Sequence, residues 1–184
     1  MPPEPDRAAI AEAIAEAALL RGTFTLRSGR TSSYYLDKYR FTTDPRVLDG
    51  VGDLLAERLR AIEAQAGQVN TLAGAELGGI PLVTVLALKS GKPCVFIRNK
   101  KKDYGTAQQL EGKLNQGDRV VLVEDVATTA GQALEACGVL REAGAEVVAV
   151  IATIDRLEGA RENVEGAGYR FEALFTKRDL GIDE

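Results

Sequence analysis

The residues best suited to chemistry stand together at Glu124-Asp125-Val126-Ala127-Thr128-Thr129-Ala130-Gly131-Gln132. Two adjacent carboxylates run into a small, hydroxyl-bearing turn that ends in glycine. Val120 to Val123 before them is an unbroken apolar run. After them Ala133, Ala136, Cys137 and Leu140 recur at i, i+3, i+4 and i+7, the spacing of one buried helix face, with Gly144 where a C-terminal cap is expected. The pattern predicts a strand, a ligand loop and a helix. The unpaired N–H groups and the dipole at such a helix start suit a phosphate held by Thr128 to Gln132. A carboxylate pair beside a phosphate repels it, so Glu124 and Asp125 must meet something else, such as vicinal sugar hydroxyls or a phosphate-bound cation. A ribose 5-phosphate group carries both a phosphate and two ring hydroxyls. In arbitrary surroundings an acid pair merely ends a strand and caps a helix; the apolar run before this one and the glycine turn after it favour a ligand.

Scarcity narrows the chemistry further. Among 184 residues there is no histidine, so a histidine triad, dyad or zinc site is excluded, and a metal would need oxygen ligands. Cys94 and Cys137 each lie in an apolar pattern and read as reduced core residues. The formal net charge of -4 argues against a general nucleic-acid partner. Against that background Arg98-Asn99-Lys100-Lys101-Lys102 places four cations in five residues, which suits one small anionic ligand; taken alone, such a run would be a solvated loop. A hydrophobic content of 45% with 27% charged residues is ordinary for a soluble globular chain, and the length fits one domain. No apolar stretch nears membrane-spanning length, and Met1 to Asp6 read as a disordered lead-in without signal-peptide features. The expectation is a cytoplasmic protein with no membrane partner.

The elements that must position these groups follow from periodicity. Asp6 to Leu20 predicts a helix with Ile10, Ile14, Ala17 and Ala18 on one face. Arg21 to Thr43 is polar with scattered aromatics, and Pro45 opens a long helix with Val47, Val51, Leu54, Leu55, Leu59 and Ile62 inward. Strands are expected at Thr71 to Ala75, Pro93 to Arg98, Arg119 to Val123 and Val147 to Ile154, with a loop at Gly74 to Gly79 and a helix at Pro81 to Lys89. Asn99 to Asp118 has no periodicity, and a structureless stretch of that length is most often functional. Continuous apolar strands alternating with helices indicate an α/β fold with a parallel sheet covered on both faces. Ligands of such sheets collect beyond the strand C-terminal ends. Gly74 to Gly79, Arg98 to Lys102, Glu124 to Gly131 and Asp155-Arg156 all fall there. There is no internal repeat and no linker.

In this order the segments resemble the type I phosphoribosyltransferases. The stretch Glu124 to Gln132 is similar to that family's signature for the diphosphate sugar 5-phosphoribosyl 1-diphosphate (PRPP). Three further stretches resemble the orotate phosphoribosyltransferases within it: Phe24-Thr25-Leu26-Arg27-Ser28-Gly29-Arg30-Thr31-Ser32-Ser33-Tyr34-Tyr35, the run from Arg98 through Lys102 and Tyr104-Gly105 to Glu111-Gly112, and Asp155-Arg156. The resemblance covers nearly the whole chain. It implies the type I phosphoribosyltransferase fold, a central mainly parallel sheet flanked by helices, as one domain: an N-terminal hood segment over about residues 1–43 and a PRPP-binding core over about 44–184. It implies transfer of the 5-phosphoribosyl group from PRPP to orotate, giving orotidine 5'-monophosphate and pyrophosphate on the way to UMP. Magnesium would be held through PRPP oxygens with no direct protein ligand required, Asp125 being the candidate should one take part. Lys102 and Asp125 would be the catalytic residues. Arg98, Lys101, Lys102, Tyr104, Glu124, Asp125, Val126, Ala127, Thr128, Thr129, Ala130, Gly131 and Gln132 would bind PRPP, the acids at the ribose hydroxyls and the turn at the 5-phosphate. Arg27, Tyr35, Leu36, Thr128 and Arg156 would bind orotate. Without that resemblance Arg156 reads as a strand-end ion pair with Asp155, and Tyr34, Tyr35 and Tyr39 as core or dimer packing. Related chains with such a loop are homodimers, so residues 99–112 are expected to reach a neighbouring subunit's site.

The chain departs from the family pattern at five places. Asn99 stands at the second basic position of the loop, Tyr104 at a histidine, Ala130 where glycine is frequent, Gln132 where a small or hydroxyl residue is common, and Arg27 at a lysine. Tyr104 can donate a hydrogen bond but carries no positive charge. Were position 130 to need a positive φ, alanine would be strained there unless Gly131 takes over. These departures keep two other readings open, a transferase for another nucleobase and a non-catalytic PRPP-binding regulator. A dinucleotide-binding domain is disfavoured because the glycines of Gly74 to Gly79 are not spaced as its fingerprint.

Overall fold

The computed structural model describes residues 6–25, 29, 31–99 and 109–183. Asp6 starts the first helix, α1 (Arg7–Ala18), its carboxylate accepting from the N–H groups of Ala8 and Ala9. α1 stops at Ala18 because Leu19 already belongs to a strand. β1 (Leu19–Thr25) pairs antiparallel with β2 (Thr31–Leu36) as a two-stranded unit in the segment that showed no periodicity. Its residues are mostly exposed or half-buried, so no apolar stripe betrays it. A six-residue helix, α2 (Lys38–Thr43), follows, capped by Asp37. Asp44 then caps α3 (Pro45–Ala66), with Pro45 in the first turn, and all six expected apolar positions are buried.

The rest is a layered α/β unit: β3 (Thr71–Ala75), α4 (Gly79–Ser90), β4 (Cys94–Ile97), β5 (Leu110–Glu111), β6 (Arg119–Ala127), α5 (Gly131–Glu142), β7 (Glu146–Asp155), α6 (Ala160–Gly166), β8 (Arg170–Thr176) and a closing 3-10 turn, Lys177–Leu180. The sheet order is β5-β4-β3-β6-β7-β8, with every pairing parallel except the short β4–β5 edge. Along β6 and β7 successive residues serve opposite layers. Val121, Val123, Ala149 and Ile151 pack with α1, α3 and α4, whereas Val120, Leu122, Val150 and Ala152 pack with α5 and α6. This two-sided burial is why these strands read as unbroken apolar runs.

Two expectations are corrected. β6 continues through Ala127, so Glu124 and Asp125 lie on the strand and not in the loop; the ladder to β7 persists to the pair Ala127–Asp155 and holds them extended. α4 begins at Gly79, earlier than Pro81, because proline is tolerated in a first helical turn, where its missing N–H would have had no intrahelical partner.

The start of α4 comes down close on β3. A Cβ at Gly74 would stand 2.6 Å from the Gly79 carbonyl oxygen and 2.6 Å from Val83 Cγ1. Gly74→Ala is therefore expected to lower the unfolding free energy by about 1–3 kcal/mol through overpacking, read as a lower urea midpoint at unchanged m-value.

Candidate active site

Neighbours on a strand turn to opposite faces, yet the carboxyl groups of Glu124 and Asp125 stay close enough for Asp125 to act on Glu124 through both charge and side-chain contact. Asp125 turns towards the β3–α4 turn, and Glu124 towards α5, where its charge helps, behind burial, to raise the Cys137 thiol. Asp125 is only 1% exposed. Its Oδ1 accepts from the Val126 N–H at 2.6 Å and from Lys38 Nζ at 3.3 Å. Its Oδ2 lies 2.9 Å from the same ammonium, outside hydrogen-bonding geometry. Glu124 Oε1 accepts from the Asp125 N–H at 3.2 Å. Among the described residues each acid thus keeps one buried oxygen, Glu124 Oε2 and Asp125 Oδ2, without a hydrogen-bond partner. Buried carboxylate oxygens left in this way are costly unless a donor arrives.

Gly78 closes the other side of Asp125. A Cβ there would fall 1.6 Å from Asp125 Oδ2, so any side chain at position 78 displaces the carboxylate. Burial first, then the charge of Asp125, pushes the Glu124 carboxyl up from its ordinary 4.5 to about 8. For Lys38, burial works to lower the ammonium's affinity for its proton, but the charge and hydrogen bond of Asp125 outweigh it and raise the group above its ordinary value.

Past Ala127 the chain leaves the sheet through Thr128 and Thr129, and α5 begins with no side chain capping it. A helix start leaves its first N–H groups without intrahelical partners, an arrangement suited to an anion. The turn is tied on two sides: the Arg156 N–H donates to the Ala127 carbonyl at 2.9 Å, and Asn163 Nδ2 donates to the Thr129 carbonyl at 2.9 Å. Ala130 itself has φ 59°, and Gly131 does not take over that role. The left-handed conformation costs about 1–2 kcal/mol in an L-residue. Burying the Ala130 methyl, which glycine would lack, offsets about 0.8 kcal/mol of that, so alanine is tolerated.

At the end of β4 the Arg98 N–H donates to the Gln109 carbonyl at 2.8 Å, and the Arg98 carbonyl accepts from Gln109 Nε2 at 3.1 Å. Arg98 Nη1 stands 3.7 Å from Glu111, while its Nε is buried without a hydrogen-bond partner. The Asn99 N–H donates to Glu76 Oε1 at 2.6 Å, pinning the root of the basic run to the β3–α4 turn. Lys101, Lys102 and Tyr104 lie outside the described residues, as does Arg27.

On the hairpin side Arg156 Nη2 donates to the Tyr34 hydroxyl at 3.0 Å, with the guanidinium 5.5 Å from the Tyr34 ring centre. The same Nη2 lies 3.0 Å from Glu158. The ion pair read for Arg156 with Asp155 is not the one formed: Asp155 is buried and accepts from the Leu157 N–H at 2.8 Å. Tyr35 is 46% exposed beside Phe24, ring centres 5.7 Å apart, and Leu36 is half-buried. Lys38, Glu158 and Asn163 were not legible as site residues, and Glu76 and Gly78 were legible only as part of the loop Gly74 to Gly79. Lys38 and Asp125 are separated by 87 positions, and nothing in the sequence around Lys38 points to a buried acid.

Residues 40–168 match the phosphoribosyl transferase domain family. With the acid pair, the uncapped α5 and the parallel sheet, this makes the chain a member of the phosphoribosyltransferases. Within them it belongs to the orotate phosphoribosyltransferase family. It is 44% identical to the orotate phosphoribosyltransferase of Haloquadratum walsbyi over 91% of this chain and 87% of that one. It is 42% identical to that of Pyrococcus furiosus over 86% of each. The crystal structure of Mycobacterium tuberculosis orotate phosphoribosyltransferase in complex with PRPP superposes with a TM-score of 0.80 at 33% identity, covering 97% of this chain and 100% of that one. An adenine phosphoribosyltransferase from Leishmania donovani shares the fold at a TM-score of 0.71 and 20% identity.

Because the folded value of Glu124 lies above its ordinary one, the stability it contributes is complete below about 4.5 and is lost as pH rises to about 8. Glu124→Gln removes that dependence. Melting temperatures measured against pH should show the variant gaining on the parent chain through this window and holding a constant lead above it.

Proposed function

We propose that the chain transfers the 5-phosphoribosyl group from PRPP to orotate, releasing pyrophosphate and forming orotidine 5'-monophosphate in pyrimidine biosynthesis. The observation that carries this reading is the pair of buried, partnerless carboxylate oxygens on Glu124 and Asp125 one turn ahead of the uncapped start of α5. Vicinal ribose hydroxyls are donors suited to the first, and a 5-phosphate is suited to the second. In this reading Val126 to Gln132 hold the phosphate through backbone and hydroxyl groups. Arg98, Lys101, Lys102 and Tyr104 meet the pyrophosphate. Arg156, Thr128, Arg27, Tyr35 and Leu36 meet orotate, and residues 1–43 form the hood over it.

As the C1 bond to pyrophosphate breaks, positive charge grows on the ribose ring and negative charge on the leaving group, so the protein acts mainly by placement and electrostatics. Asp125, buried and paired with Lys38, stands on the side of the ring's developing charge. Lys102 neutralises the leaving group, and loop closure keeps water from the ring carbon. Magnesium would be held chiefly by PRPP's own oxygens, and Asp125, with a buried carboxylate oxygen that has no hydrogen-bond partner among the described residues, fits as a protein ligand to it. Bound there, magnesium supplies charge neutralisation to the diphosphate. We further infer a homodimer in which residues 99–112 serve the neighbouring site; exposed Leu77 and Leu88 offer apolar surface for such a contact.

Purified protein mixed with orotate, PRPP and magnesium should consume orotate absorbance and release pyrophosphate in equal amounts, and cease when PRPP or magnesium is withheld. PRPP binding without conversion would point to another base or to a regulator. Lys102→Ala should lower kcat about 10²–10³-fold with a far smaller change in PRPP affinity. Equal mixtures of Lys102→Ala and Asp125→Asn, each inactive alone, should regain activity on subunit exchange if the loop acts across the dimer, and stay inactive if it acts within its own subunit.

A further inference from the structure

Lys38 is a long side chain delivered to the acid pair from outside the sheet. It opens α2, whose entry is fixed twice: the Asp37 N–H donates to the Ala18 carbonyl at 2.8 Å, and the Asp37 carboxylate accepts from the Tyr39 N–H at 3.3 Å. From that root the ammonium reaches 2.9 Å from Asp125 Oδ2 and donates to Oδ1 at 3.3 Å. Among the described residues Oδ1 is its one hydrogen-bond acceptor, so further protons of the ammonium stay free for a ligand oxygen. A buried carboxylate whose charge is not balanced is unstable in place. Here the balancing charge arrives in a geometry that leaves Oδ2 open to a hydroxyl donor.

We propose that Lys38 is a further positioning residue for the ribosyl group: its ammonium balances Asp125 and aims Oδ2 at a sugar hydroxyl. This rests on the reading of Asp125 as a ribose-hydroxyl acceptor. Glycine at position 78 leaves room for the carboxylate where it stands, and Lys38 holds it from the other side. A hydroxyl donated to a charge-balanced, immobile carboxylate makes the strong, charge-assisted form of the bond. Because Lys38 lies just after β2, the same short stretch of chain that ends the hairpin also sets the acid.

The test separates hydroxyl recognition from phosphate recognition. Calorimetry without magnesium would measure ribose 5-phosphate and inorganic phosphate binding to the parent chain and to Lys38→Met, Lys38→Gln and Lys38→Arg. Loss of the ammonium should weaken ribose 5-phosphate about tenfold or more while leaving inorganic phosphate within about twofold, and Lys38→Arg should recover much of the loss. Lys38→Gln, which keeps a donor without the charge, decides in the same way if the methionine variant does not fold. Unchanged ribose 5-phosphate affinity in the neutral variants, or equal weakening of both ligands, overturns the role given to Lys38. Failure of the parent chain to bind ribose 5-phosphate overturns the reading of Asp125 itself.

Discussion

The site depends on a carboxylate that is almost wholly buried against a lysine. Asp125 fits there because Gly78 leaves room for it on the side away from Lys38. Removing a counter-charge from a buried ion typically costs several kcal/mol, more than most single contacts supply. Much of the neighbourhood follows from that one requirement. The β3–α4 turn must bring glycine to position 78, α4 must close tightly on β3 through Gly74 and Gly79, and α2 must hold Lys38 at the sheet edge. Its partner Glu124 meets the opposite condition: burial and the neighbouring Asp125 outweigh the more distant pull of Lys38, and it holds its proton more tightly than a free carboxyl.

The parallel sheet was legible because both its faces are covered. Strands buried on two sides carry no polar alternation, and Val120 to Val123 and Val147 to Ile154 announce themselves by hydrophobicity alone. The long helix after Pro45 was legible from its cap and its stripe. The hairpin was not, since its residues face solvent or sit half-covered and leave no periodic trace. The end of β6 was misjudged by four residues for a related reason. Two acids look like the end of a strand, yet the ladder to β7 carries the backbone past them to Ala127.

Within the candidate site, the groups that the sequence nominates adjoin in the chain: the acid pair, the turn after it and the basic run, of which Lys100 to Lys102 lie outside the described residues. What could not be read were their long-range partners. Lys38 for Asp125, Tyr34 for Arg156, Glu76 for Asn99 and Asn163 for Thr129 are each fixed by packing between elements far apart in sequence. The strain suspected at Ala130 was readable in principle, because the turn's requirement for a left-handed residue travels with the motif. Which residue would bear it depended on where α5 starts, and that is set by the helix packing on the sheet.

The ladder between β6 and β7 has a further meaning for recognition. Ala127, which opens the phosphate turn, pairs with Asp155, and the next N–H, that of Arg156, donates to the Ala127 carbonyl. The arm proposed for the base and the cradle proposed for the phosphate are therefore two ends of one hydrogen-bonded backbone gauge. Side chains can adapt by an ångström; a β-ladder cannot without breaking. On the roles proposed for them, the spacing between Arg156 and the start of the phosphate turn is set by main chain, and it cannot change unless the end of the ladder between β6 and β7 gives way.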